Sequence, residues 1–176
     1  MNAKSFSVYL GLGSNIGDLR QNLNKALYFI GQRLQIEKTS SVYDTTPECN
    51  PNQPNFLNLV VQASTTLEPM ALLSLIKGFE AKLGRVPSQR YNPRTMDIDI
   101  LSYGQYIINS PELTIPHPHM HERAFVLVPL VEIAPDFIHP VTGKTASQML
   151  SELKKGVQGV LKLLDPLKRG ADECTE

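Results

Sequence analysis

From Met96 to Ile100 the chain alternates without exception: Met96, Ile98 and Ile100 are apolar, Asp97 and Asp99 acidic. A period of two belongs to a β-strand with one buried face, so any fold of this chain must give this strand one apolar and one polar side. The two carboxylates project from the same side, about 6.5–7 Å apart along the strand. Brought to about 5 Å at an effective dielectric near 20, they would repel by roughly 3 kcal/mol. Two readings fit that cost. A hard dication with oxygen ligands would turn the repulsion into attraction, and Mg²⁺ typically takes one or two carboxylates beside substrate phosphates. Alternatively the acids lie on a solvated edge strand, where they discourage aggregation. Arg85, Arg90 and Arg94 in the loop 84–95 directly upstream favour a polyanion site.

Local clustering has to supply such a site, because the chain as a whole is neutral: 17 basic residues balance 17 acidic ones. That balance argues against a nucleic-acid or membrane-surface partner. With 176 residues and 41% hydrophobic composition, a single domain over 1–160 can bury a full core, leaving 161–176 as a poorly ordered tail. Cys49 and Cys174 stand alone, which excludes a disulfide framework or Cys-based zinc site. The polar N-terminus and the lack of a long apolar run point to the cytoplasm, and a monomer is the simplest expectation.

The remaining periodicities place this strand in a fold. Phe6, Val8, Leu10 and Leu12 mark a first strand over 5–12, and Gly11 to Asp18 breaks it. A helix follows over 18–34, with Asp18 and Gln21 as a capping pair. The G-x-G-x-x-x-G spacing departs from a dinucleotide fingerprint, so a tight turn into a capped helix is preferred. Ile36 to Tyr43 is a second strand and Phe56 to Thr65 a third. On the third, Leu57, Leu59, Val61 and Ala63 face the core, while Phe56, Asn58, Val60 and Gln62 face the other way. An aromatic beside a carboxamide can stack a flat heterocycle and pair with its edge; an ordinary half-exposed sheet face explains the pattern equally well. Pro69 opens a second helix that Gly84 closes, with Glu80 near its end. Tyr103-Gly104-Gln105 predicts a hairpin turn into Tyr106–Ile108, and Thr145 opens a short helix through about Lys154. His117, His119 and His121 fall in one Pro-broken loop, suited to phosphate or, with less support, to zinc. Gly143-Lys144-Thr145 lacks the first glycine of a P-loop. The order β-α-β-β-α-β predicts an α+β, ferredoxin-like split βαβ fold with additional strands, its antiparallel-rich sheet covered by helices on both faces.

Four segments then make the chain resemble the 6-hydroxymethyl-7,8-dihydropterin pyrophosphokinases of folate biosynthesis: Gly11–Asn15, Gln53–Asn58, Pro93–Asp99 and Ile115–His117. The resemblance implies an enzyme that transfers pyrophosphate from ATP to the hydroxymethyl group of the pterin and releases AMP. It implies two Mg²⁺ ions on Asp97 and Asp99, and Arg85 and Arg94 as stabilisers of the transferring group. His117 and Arg123 would meet phosphates, with Glu80, Ile100 and Thr114 around the adenosine, the last two partly through backbone. Phe56 and Phe125 would sandwich the pterin and Asn58 would read its edge, beside Thr45, Pro47 and Tyr91. Glu48 stands where the family often carries an aliphatic residue, and Tyr91 where it often carries tryptophan. His119 and His121 acquire no role. A non-catalytic nucleotide- or pterin-binding module on the same scaffold is the alternative.

Overall fold

A computed structural model describes residues 4–48, 51–86, 93–153, 159–163 and 167. Two long strands form its centre, β1 (Phe6–Ser14) and β4 (Phe56–Thr65), paired antiparallel over their lengths from Phe6↔Thr65 to Ser14↔Leu57. The D-x-D strand is β5 (Asp97–Tyr103), antiparallel to the other edge of β1. The Ile36–Tyr43 expectation resolves into two short strands, β2 (Gln35–Thr39) and β3 (Tyr43–Thr45), both paired to β4. Ser40 separates them, and its Oγ accepts from Val60 N at 2.9 Å, a side-chain bond where a ladder bond would otherwise run. The sheet order β5-β1-β4-β3 is that of a ferredoxin-like split βαβ.

Helices α1 (Leu19–Gly31) and α2 (Pro69–Lys82) cover one face. Asp18 caps α1 by accepting from Gln21 N at 3.0 Å, and Leu23, Ala26 and Ile30 of α1 are buried with Leu72, Ile76 and Phe79 of α2. They pack on Val8, Leu10, Leu12, Leu57, Leu59, Val61, Ala63, Ile98 and Ile100. Fully burying each of the larger side chains, the alanines apart, contributes about 1.5–3 kcal/mol. Helices α3 (Ala124–Ile133) and α4 (Ala146–Glu152) cover the opposite face, over Val60 and Leu101. Thr145 opens α4 with a reciprocal capping box to Gln148. Glu132 fastens α3 to the sheet by accepting from Ser41 Oγ at 2.6 Å and Tyr43 Oη at 2.7 Å.

Three expectations change. Gly11 and Gly13 do not break the first strand; they are inside β1, which runs on to Ser14. Tyr106–Ile108 does not return along β5. Tyr106 N donates to Tyr103 O at 3.0 Å to close the turn, but β6 (Ile108–Asn109) pairs with β7 (Thr114–Ile115) in a separate two-stranded sheet. The tail expected from 161 begins with part of the sheet instead: β8 (Val160–Lys162) adds to β3, with Val160 opposite Thr45. A bulge between Tyr9 and Leu10 resets the β1–β5 register. Beyond it Tyr103 turns into the α1/α2 core, whereas strict alternation would place it on the side of Asp97 and Asp99.

Candidate active site

The glycines of β1 make the site. Across the β1–β5 ladder Gly11 lies opposite Asp99 and Gly13 opposite Asp97. With no side chains there, the floor of the sheet is bare, and a cavity opens between it and the N-terminal end of α3. Thr45, Pro47, Phe56, Asn58 and Phe125 line one side of it; Arg94, Asp97, Asp99 and Arg123 line the other. Residues from β3, β4, β5 and α3, separated by up to 80 positions, therefore meet on one face.

The aromatic–amide side is held in register. Asn58 is 7% exposed and donates from Nδ2 to Thr45 Oγ1 at 2.6 Å. Its carboxamide closely overlies Gly13: a β-carbon there would stand 2.5 Å from Asn58 Oδ1. The end of β1 also latches the segments flanking the cavity. Ser14 Oγ donates to Thr95 O at 2.5 Å, Arg94 N to Asn15 Oδ1 at 2.7 Å, and Asn15 Nδ2 to Gln53 Oε1 at 3.1 Å. Sequence reasoning gave Ser14 and Asn15 no such role, although polar residues capable of bridging two loops directly after the strand are a readable signal.

The charged side is a network. Asp97 pairs with Arg94 through one oxygen and with Arg85 through the other, the latter at 2.9 Å. Arg85 also pairs with Glu80. Burial alone would lower the Arg85 guanidinium, but Asp97 and Glu80 reverse that and raise it. Asp99 is pushed up to about 7, by its enclosure among protein atoms first and by Asp97 second. The side chain still opens 38% of its surface to the cleft, so it is reachable from solvent. His117 Nε2 lies 3.9 Å from Asp99 Oδ2, and the loop bearing it is fixed by His117 N donating to Leu101 O at 2.9 Å. Burial, then the neighbouring Arg123, lowers His117 to about 4, so it is a neutral imidazole at pH 7.

Not every expected residue reaches the cavity. Glu80 is 2% exposed beneath β5; it accepts from Ile98 N at 2.8 Å and pairs with Lys77 at 3.0 Å. The Ile100 side chain is in the α1/α2 core and Thr114 is in the small second sheet, so only backbone atoms of Ile100 could meet a ligand in the cleft. Tyr91 and Arg90, with the rest of 87–92 in the middle of the loop 84–95, lie outside the described residues. His119 pairs with Glu122 at 3.1 Å on the surface. Among the described residues no three His, Cys, Asp or Glu side chains come together as a metal cluster. The carboxylate oxygens of Asp97 and Asp99 nonetheless suit a hard cation whose other ligands are phosphates or water, and the raised Asp99 is the charge such a cation would relieve.

A ferredoxin-like sheet with a heterocycle-sized aromatic–amide wall facing carboxylates and guanidiniums has the layout of a nucleotide-dependent transferase. The comparisons agree. Residues 9–135 match the family model of 7,8-dihydro-6-hydroxymethylpterin-pyrophosphokinase, and this chain belongs to that family. It is 42% identical over 146 residues to 2-amino-4-hydroxy-6-hydroxymethyldihydropteridine pyrophosphokinase of Aquifex aeolicus, covering 83% of this chain and 91% of the relative. It is 43% identical over 155 residues to a folic acid synthesis protein of Dictyostelium discoideum, covering 88% of this chain but only 24% of that protein. Plasmodium falciparum HPPK-DHPS superposes with a TM-score of 0.71 at 19% identity, covering 84% of this chain and 44% of that one, a likeness of fold.

Proposed function

We infer that this chain transfers the β,γ-pyrophosphoryl group of ATP to the hydroxymethyl oxygen of 6-hydroxymethyl-7,8-dihydropterin, giving the pterin diphosphate and AMP. The pterin oxygen forms a new bond to the β-phosphorus while the bond between that phosphorus and the α,β-bridging oxygen breaks; the bridging oxygen leaves on AMP and the hydroxyl proton is lost. The observation carrying this reading is the single cavity in which Phe56, Asn58 and Phe125 face Arg94, Asp97, Asp99 and Arg123.

In this reading the pterin stacks between Phe56 and Phe125, and Asn58, oriented by Thr45, pairs with its edge; Pro47 closes the side. Asp97 and Asp99 would hold two Mg²⁺ ions, which supply charge neutralisation on the phosphates and acidify the attacking hydroxyl. Arg85 and Arg94 now direct their charge at Asp97; with Asp97 neutralised they turn to the transferring group, where developing charge is greatest. His117, kept neutral, donates a hydrogen bond to a phosphate oxygen, and Arg123 binds phosphate as a cation. Ile100, Thr114 and Glu80 contribute on the adenosine side, the first two through backbone and Glu80 by setting β5. Tyr91, outside the described residues, is assigned a pterin contact on the family resemblance alone. The described walls of this cleft all come from one chain, which supports a monomer as the active unit, and ATP as co-substrate is in keeping with a cytoplasmic location.

The test is incubation of the protein with ATP, Mg²⁺ and hydroxymethyl-dihydropterin, following AMP by chromatography. AMP and the pterin diphosphate should appear in equal amounts, and Asp97→Asn should lower the rate about a hundredfold or more. ADP as the product, or ligand binding without turnover, would overturn the assignment.

A further inference from the structure

Glu48 enters the cavity from the segment after β3 and has no part in the roles above. Its Oε2 lies 3.3 Å from Arg123 Nε, and both side chains line the same cavity. Arg123 is further held with its guanidinium carbon 5.5 Å from the centre of the Phe125 ring. The guanidinium thus has an aromatic face on one side and a carboxylate on another, within a wall that otherwise presents Asp97 and Asp99. A carboxylate on a phosphate-binding arginine is an anion already in place. The incoming phosphate must displace it or share the guanidinium with it, and either lowers the net attraction. With Glu48 and Arg123 at 32% and 21% exposure, the pair is solvated enough to exchange rather than lock.

We propose that Glu48 is a positioning residue that competes with the nucleotide's phosphates for Arg123, holding the guanidinium over Phe125 in the free enzyme and weakening binding of the nucleotide's polyphosphate. This rests on the pyrophosphokinase reading.

The test is calorimetric titration with a non-hydrolysable ATP analogue and Mg²⁺, on wild type, Glu48→Gln, Arg123→Ala and the double variant, with steady-state kinetics in parallel. Glu48→Gln should tighten analogue binding by about two- to fivefold, the scale of one partly exposed ion pair. It should lower KM for ATP without raising kcat, and Glu48→Asp should return toward wild type. In the Arg123→Ala background the Glu48 change should do nothing, because the competitor then has nothing to compete for. Unchanged or weaker analogue binding in Glu48→Gln, or equal tightening in both backgrounds, overturns the proposal alone. Loss confined to pterin binding also overturns it, because Glu48 would then read the heterocycle. Failure of wild type to bind the analogue overturns both this role and the reaction beneath it.

Discussion

Replacing Gly13 by alanine tests the proposed pterin wall through a residue that carries no side chain. The new β-carbon would stand 2.5 Å from Asn58 Oδ1, where real contacts stay above about 3.0 Å, so the carboxamide must retreat by about 0.5 Å or more. It cannot do so freely, because Asn58 is buried and its amide donates to Thr45 Oγ1 at 2.6 Å. Rotation breaks that bond and mis-aims the amide proposed to pair with the pterin edge. Losing one or two hydrogen bonds at about 1 kcal/mol each predicts a pterin Kd raised roughly 5- to 30-fold. The displaced amide and local overpacking should also lower Tm by several degrees, since each kcal/mol is about 2–4 °C in a protein of this size. Calorimetry with the pterin and a nucleotide analogue reads the first effect and a thermal scan the second. Gly11→Ala separates the two effects: its β-carbon also enters the floor of the cavity, but it meets Leu101 Cδ2 at 3.4 Å and leaves Asn58 in place. A Gly13→Ala protein whose pterin Kd stays within about twofold of wild type would refute the view that Asn58 is an anchored edge reader.

Other expectations test the charged wall. Glu80→Gln keeps an oxygen for Ile98 N but gives up the ionic contacts with Lys77 and Arg85; stability should fall by about 1–3 kcal/mol in urea unfolding, with kcat reduced through the misplaced Arg85, and an unchanged midpoint would refute its supporting role. In the metal-free protein, two perturbed groups oppose each other with pH. Asp99, raised from 3.8 to about 7, gives stability present below pH 3.8 and lost as pH rises toward 7. His117, lowered from 6.5 to about 4, gives stability present above pH 6.5 and lost as pH falls toward 4. Wild-type stability should thus be nearly flat across that window. His117→Asn should expose a curve that falls with rising pH, and Asp99→Asn one that rises; parallel curves for both variants would contradict the opposed shifts.

The sequence by itself determined the β-α-β-β-α-β order, the inward faces of β4 and β5, the caps of α1, α2 and α4, and the pairing of Asp97 with Asp99 on one face. These depend on period and local chemistry, which a residue carries wherever it sits. Tertiary structure alone decided that Gly11 and Gly13 are a floor rather than a turn: a glycine reads as a break until a partner strand satisfies its backbone. It decided that Glu80 supports β5 from below, because the acceptor for Ile98 N could come from any of several acids. It placed Tyr106–Ile108 against Thr114–Ile115 instead of β5, since alternation does not name a strand's partner, and it turned Tyr103 into the core through a bulge invisible to strict periodicity. The acid pair that first suggested a polyanion site becomes one wall of a cleft only because β1 opposite it has nothing to put in the way.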